Sequence, residues 1–143
     1  MSYLKKRNAA SQYGRVATES EVAYASPHRL VQMLMEGALD KVAAAKGFML
    51  RKDYAGKSHH ITWASTIITG LRSSLDLSAG GAIAANLEDL YGYMLRRLID
   101  ANVSNDTEIL DEISGLLLEI KSAWDAMPEG VRGTAPAQAG LGA

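Results

Sequence analysis

Three histidines, His28, His59 and His60, are the residues of this 143-residue sequence best suited to metal ligation or proton transfer. His59 and His60 are adjacent, and helical neighbours diverge by about 100°, so they cannot close on one ion as an i, i+4 pair does. No Glu-x-x-His occurs in the chain, which removes the di-iron motif of helical bundles. All three histidines are expected at the surface. The paired acids Glu88-Asp89 and Asp111-Glu112 read as solvated helix faces, because nothing in the sequence sets one carboxyl of a pair apart as a buried acid. Gly80-Gly81 lacks the pattern and the lysine of a phosphate loop. Cysteine is absent, and with it thiol nucleophiles, disulfides and thiolate zinc sites. One set of polar groups remains for a small enzyme, Tyr91 with Arg96 and Arg97. Tyr91 falls on an apolar stripe, where a buried aromatic with one hydroxyl partner is expected. The two arginines read as a solvated or salt-bridged face. No catalysis, metal or cofactor is expected.

The elements that position these residues are helices. Apolar residues recur at three- and four-residue steps, and no run keeps a period of two. Ser26-Pro27 predicts the first helix start, with serine capping free amides and proline in the first turn. Its stripe is Leu30, Met33, Leu34, Gly37, Ala38, Val42, Ala45 and Met49, broken at Arg51-Lys52-Asp53. A second stripe, Ile61, Ala64, Ile68, Leu71 and Leu75, is expected to end near Ser78-Ala79-Gly80-Gly81. The third reads Ile83, Leu87, Leu90, Tyr91, Met94, Leu98 and Ala101. The fourth is expected to start at Asn105, with Glu108 completing a capping box, and carries Leu110, Ile113, Leu117, Ile120 and Trp124. Short links force neighbours to run opposite ways. The fold class is therefore all-α, an antiparallel up-and-down four-helix bundle with a short N-terminal helix or cap segment. Residues 1–25 are expected to form that segment, 26–127 the bundle, and 128–143, rich in glycine and alanine, a disordered tail.

Hydrophobic residues at 48% and charged residues at 22% fit one soluble domain with one core. A net charge of −1 gives no general attraction to nucleic acid or to anionic membrane, and Lys5-Lys6-Arg7 alone is a weak phosphate footprint. No apolar run approaches the ~20 residues that cross a bilayer. Polar residues follow Met1-Ser2-Tyr3-Leu4-Lys5-Lys6, so no signal peptide is expected and the location is expected to be cytoplasmic.

The helices carry more apolar residues than one stripe each requires. The first adds Val31, Met35 and Leu39, the second Trp63 and Ile67, the third Leu95 and Ile99, the fourth Ile109 and Leu116. These either widen the core or form an exposed groove for an amphipathic partner. Six methionines suit a surface that repacks around a peptide.

Several stretches in fixed order resemble one family. Ala25-Ser26-Pro27-His28-Arg29-Leu30-Val31-Gln32-Met33-Leu34-Met35-Glu36-Gly37-Ala38 resembles the "ASP..L..MLYDGA" pattern of flagellar secretion chaperones of the FliS family, with Met35 in place of its aromatic and Glu36 in place of its aspartate. Gly80-Gly81-Ala82-Ile83-Ala84-Ala85-Asn86-Leu87-Glu88-Asp89-Leu90-Tyr91-Gly92-Tyr93-Met94 is similar to "GG.IA.NL..LY.YM". Gln12-Tyr13 with Glu19-Ser20, Arg96-Arg97-Leu98-Ile99, Asn105-Asp106 and Trp124 extend the match from about Tyr13 to Trp124.

That resemblance implies a helical export chaperone with no enzymatic activity. Its client would be the disordered C-terminal region of flagellin, kept from premature polymerisation and delivered to the export gate protein of the flagellar type III apparatus. It also implies that the N-terminal segment around Tyr13 and Val16 covers the client groove when flagellin is absent. Together with the surplus apolar positions, it gives the expected partner-binding set: Tyr13, Val16, Met35, Leu39, Ile67, Asn86, Leu95 and Ile99. Whether the free protein is a monomer or homodimer is left open. The rival reading is a helical adaptor or regulator of another amphipathic segment.

Overall fold

Ser26 opens the first helix as the sequence predicts. Its side-chain oxygen accepts the Arg29 amide at 3.1 Å, and Pro27 takes the first helical position. The structure, a computed structural model, describes residues 24–127. Within them α1 spans Pro27–Leu50, α2 Tyr54–Ser73, α3 Leu77–Ser104 and α4 Thr107–Asp125. The expectations for Tyr3 to Tyr13 and for the tail beyond Pro128 lie outside the described residues.

Aspartates start the other three helices. Asp53, Asp76 and Asp106 accept the amides of Gly56, Ala79 and Glu108 at 3.0, 3.0 and 2.9 Å. The start expected at Asn105 is therefore one residue early. With two residues between α3 and α4, one must end a helix and the other must begin one. Asn105 adopts the left-handed conformation (φ 53°, ψ 44°) that closes α3, and an N-cap needs extended backbone, which Asp106 supplies. The end of α2 is also corrected. It lies at Ser73, and the glycine pair falls inside α3, where Gly81 (φ 55°, ψ −135°) kinks the helix four residues after its start. That backbone geometry favours glycine strongly, so the pair marks a bend and not a connection.

Connections of two or three residues force the helices to alternate in direction. α1 lies beside α2, α2 beside α3, α3 beside α4, and α4 closes on α1. The closure is antiparallel: at one end the Gln32 amide donates to Asp125 at 2.7 Å, and at the other Lys46 meets Asp111 at 2.8 Å. The result is an all-α, antiparallel up-and-down four-helix bundle.

The core follows the predicted stripes of α2 and α4 closely and departs from those of α1 and α3. Ile61, Ala64, Ile68 and Leu71 are buried, as are Leu110, Ile113, Leu117, Ile120 and Trp124. In α1 the buried face is His28, Val31, Met35, Ala38, Val42, Ala45 and Met49, one residue out of step with the prediction in its first half. Leu30 is exposed, while Met33 and Leu34 are half-buried. Ile83 of α3 is also exposed, at 45%. His28 overturns the expectation of a surface histidine. Its ring stacks on Trp124 with centroids 4.9 Å apart and planes within 9°, and the Trp124 indole donates to the His28 carbonyl at 2.9 Å. Two large flat side chains thus seal the end of the core where α1 begins and α4 ends. Among the described residues no helix is long and apolar enough to cross a membrane, and no cluster of three histidines or acids is placed to hold a metal.

Candidate functional site

Among the described residues, the expected partner-binding positions do not gather into one groove. Tyr13 and Val16 lie outside the described residues. Met35 is fully buried in the core, which corrects its place on a second, outward stripe: Leu34 and Met35 diverge by about 100°, and the α4-closed bundle draws in Met35. Leu39, Ile67 and Leu95 are half-buried against the core, whereas Asn86 is exposed and Ile99 is 64% exposed.

Helical spacing and cross-helix contacts assign each of them to a seam. Gln32, Glu36 and Lys46 reach Asp125, Lys121 and Asp111, so Leu39, in the same row, borders α4. A methyl added at Gly37 would stand 3.5 Å from Cδ1 of Ile67, which places Ile67 between α1 and α2. A methyl at Gly92 would meet Arg72, and Asn102 accepts the Ser58 hydroxyl at 3.0 Å. Leu95 and Ile99, in the row between them, therefore border α2. Asn86 is seven residues from Tyr93, whose hydroxyl donates to Glu112 at 2.9 Å, so it borders α4.

An open apolar cleft of about 250 Å³ lies on that last seam, lined by Ile83, Leu87, Glu119, Ile120 and Ala123. α3 and α4 pack least extensively of the four neighbouring pairs. The Gly81 kink comes two residues before Ile83, close to the mouth of the cleft. Sequence periodicity put Ile83 in the core and missed the cleft; the glycine pair two residues ahead was the available signal. Asn86 stands one helical turn from Ile83 on the same side of α3.

Beyond the cleft, Glu112 clamps the seam. It accepts from Tyr93 at 2.9 Å and from Arg97 at 3.1 Å, while Arg97 also holds Asp100. The bond to Glu112 raises the titration of both Tyr93 and Arg97. Burial pushes the Tyr91 phenol well above its ordinary value. Tyr91 is the buried aromatic that the periodicity indicates. Arg96 stays exposed. The arrangement is an open apolar cleft with the Arg97–Glu112 ion pair further along the same seam, suited to holding an amphipathic segment.

Comparison with known proteins agrees in kind. The model of the family described as flagellar protein FliS matches residues 9–130. A flagellar secretion chaperone FliSB of Pseudomonas aeruginosa is 50% identical over 119 residues, covering 83% of this chain and 94% of the relative. Flagellar secretion chaperones FliS of Vibrio cholerae (37% over 135 residues; 94% and 99% covered) and Salmonella typhimurium (43% over 113 residues; 78% and 84%) are also similar. With a match of this extent laid over a four-helix bundle, the chain belongs to the FliS family of flagellar proteins.

Proposed function

We propose that this protein is a cytoplasmic, non-enzymatic flagellar secretion chaperone that holds the C-terminal segment of flagellin, keeps it from polymerising and assists its delivery to the export gate. One observation carries the reading most directly. The α3–α4 seam leaves Ile83 45% exposed at the edge of an apolar cleft, where a folded bundle with no partner gains nothing from exposing it. An amphipathic helix laid there would bury its apolar face on Ile83, Leu87, Ile120 and Ala123, with Asn86 at the rim for backbone hydrogen bonding. Further along the client, Leu95 and Ile99 on the α2–α3 seam supply a second apolar strip, and Leu39 and Ile67 flank the remaining seams. Met35 drops out of the contact set because it is enclosed. Tyr13 and Val16 are proposed to cover the cleft in the absence of client.

The physical logic is that of coupled folding and binding. Ordering a disordered client consumes part of the interaction energy, so a large contact surface still releases its cargo. Calorimetric titration with a flagellin C-terminal peptide tests this. Expected are one-to-one binding with a negative heat-capacity change, and a loss of about tenfold or more in affinity for Ile83→Ser, which removes an exposed apolar contact of the cleft. Binding of a flagellin N-terminal peptide in preference to the C-terminal one would overturn the assignment. Binding of the C-terminal peptide undiminished in Ile83→Ser would move the site away from the cleft.

A further inference from the structure

Between Lys41 and His60 the sequence carries five cations and one carboxylate, Asp53, although the whole chain balances 15 lysines and arginines against 16 acids. Two of the five act within the bundle: Lys46 pairs with Asp111 at 2.8 Å, and the Lys57 ammonium is enclosed at the end of α3. Lys41, Arg51 and Lys52 have no carboxylate within ion-pair distance among the described residues. The nearest acids in sequence are Asp40, exposed and about 100° away from Lys41 around α1, and Asp53, whose oxygen caps α2.

Two of these free cations are fixed over aromatic rings. Lys41 Nζ stands 3.8 Å from the Trp63 centroid, and the Arg51 guanidinium 4.8 Å from that of Phe48. His60 connects the two pairs, 4.8 Å from Phe48 and 6.0 Å from Trp63, and its Nδ1 lies 2.8 Å from the Gly56 carbonyl. Lys41, Trp63, His60, Phe48 and Arg51 therefore form one continuous ladder across α1 and α2. Phe48 lies directly on the α2 backbone, since a methyl at Gly56 would approach its ring to 2.6 Å. Trp63 is nonetheless 45% exposed, unlike Trp124 at 1%.

We propose that this outer face of the α1–α2 hairpin is a docking surface for an acidic segment of a partner protein. The cations are already positioned, so binding immobilises few rotatable side chains. Arg51 offers planar, paired donors to a carboxylate, and the exposed edge of Trp63 offers apolar contact beside it. A nucleic acid fits less well, because three free cations flanked by Asp40 and Asp53 release few counterions from a phosphate backbone. The ladder lies on the α1–α2 hairpin, apart from the α3–α4 cleft.

The test uses the full chain and needs no flagellin, so it stands or falls apart from the client assignment. Fluorescence anisotropy would follow a labelled peptide of glutamate and leucine and, separately, an oligothymidylate of the same net charge. Saturable peptide binding is expected, weakened about tenfold or more in Lys41→Glu/Arg51→Glu and about fivefold in Trp63→Ala, and weakened further by salt. Circular dichroism melts monitor folding, and Lys41→Gln/Arg51→Gln replaces the reversed pair if that variant melts early. Absence of peptide binding, equal affinity in the charge variants, or tighter binding of the oligothymidylate would each overturn the proposal.

Discussion

Replacing Lys57 by methionine is expected to destabilise the bundle by about 2–3 kcal/mol, the loss of two charge-assisted hydrogen bonds less the relief of a buried charge. Lys57 is 5% exposed, and its ammonium donates to the Asn102 carbonyl at 2.9 Å and to Asn105 Oδ1 at 2.6 Å. The Asn102 carbonyl belongs to the last turn of α3, whose carbonyls have no partner within the helix and carry the negative end of its dipole. Methionine retains most of the apolar stem and removes the charge, so packing against Tyr54 and α3 is largely kept while the Asn102 carbonyl and the exposed Asn105 lose their charged donor. In a bundle of roughly 100 residues, that loss lowers the melting temperature by about 10–20 °C. Asn105→Gly provides the partner measurement. Its φ of 53° suits glycine, so the backbone gain offsets the lost acceptor and the single variant is expected to change stability by less than about 1 kcal/mol. Thermal and urea unfolding of the two variants and their combination give a double-mutant cycle, with an expected coupling of at least about 1 kcal/mol. A Lys57→Met melt within about 2 °C of the parent, or a coupling near zero, would refute the capping role.

The enclosed Met35 and the exposed Ile99 separate core from surface: Met35→Ala is expected to cost about 2–5 kcal/mol and Ile99→Ser less than about 0.5, read from urea unfolding. Gly56→Ala is expected to cost about 1–3 kcal/mol, because its methyl would meet the body of the Phe48 ring at 2.6–2.8 Å, and denaturant midpoints measure this. Acid stability depends on Asp125, for which burial raises the titration but bonds from Lys121 and Gln32 outweigh it and lower the carboxyl below its usual range. A carboxyl depressed in the folded state contributes stability above its unfolded value of about 3.9 and loses it as pH falls through the lower folded value. Asp125→Asn should therefore flatten the decline in melting temperature below about pH 4, and an unchanged acid limb would exclude the contribution.

How far the fold was legible depended on whether neighbouring residues competed for the same role. Every helix of the bundle announced itself by period, and Ser26-Pro27 fixed one boundary outright because serine and proline each have one good place there. Asn105 and Asp106 are both capping types, and sequence could not say which would turn left-handed. Leu34 and Met35 are both apolar, and the choice between them is made by helix rotation. In that rotation His28 faces the core and stacks on Trp124, a pair 96 residues apart in which the histidine counts as polar in a hydropathy pattern. Once His28 is taken as apolar, the buried face of α1 runs His28, Val31, Met35, Ala38 without a break.

The site was less legible than the fold for a related reason. A surplus of apolar residues is a property of single helices, whereas a cleft is a property of the space between two. Ile83 and Ile120 both fit apolar stripes, yet only Ile120 is buried, and Ile83 lies two residues past the bend at Gly81. The same separation explains why the basic ladder escaped periodicity altogether. Lys41, Arg51 and His60 are polar residues that any stripe analysis assigns to solvent, and their meaning comes from the rings beneath them. Gly81 bends α3 beside the α3–α4 cleft through its positive φ, and Gly56 lets Phe48 lie close against α2 on the α1–α2 seam. Substitutions at these two glycines should thus disturb different faces, leaving the opposite seam unchanged.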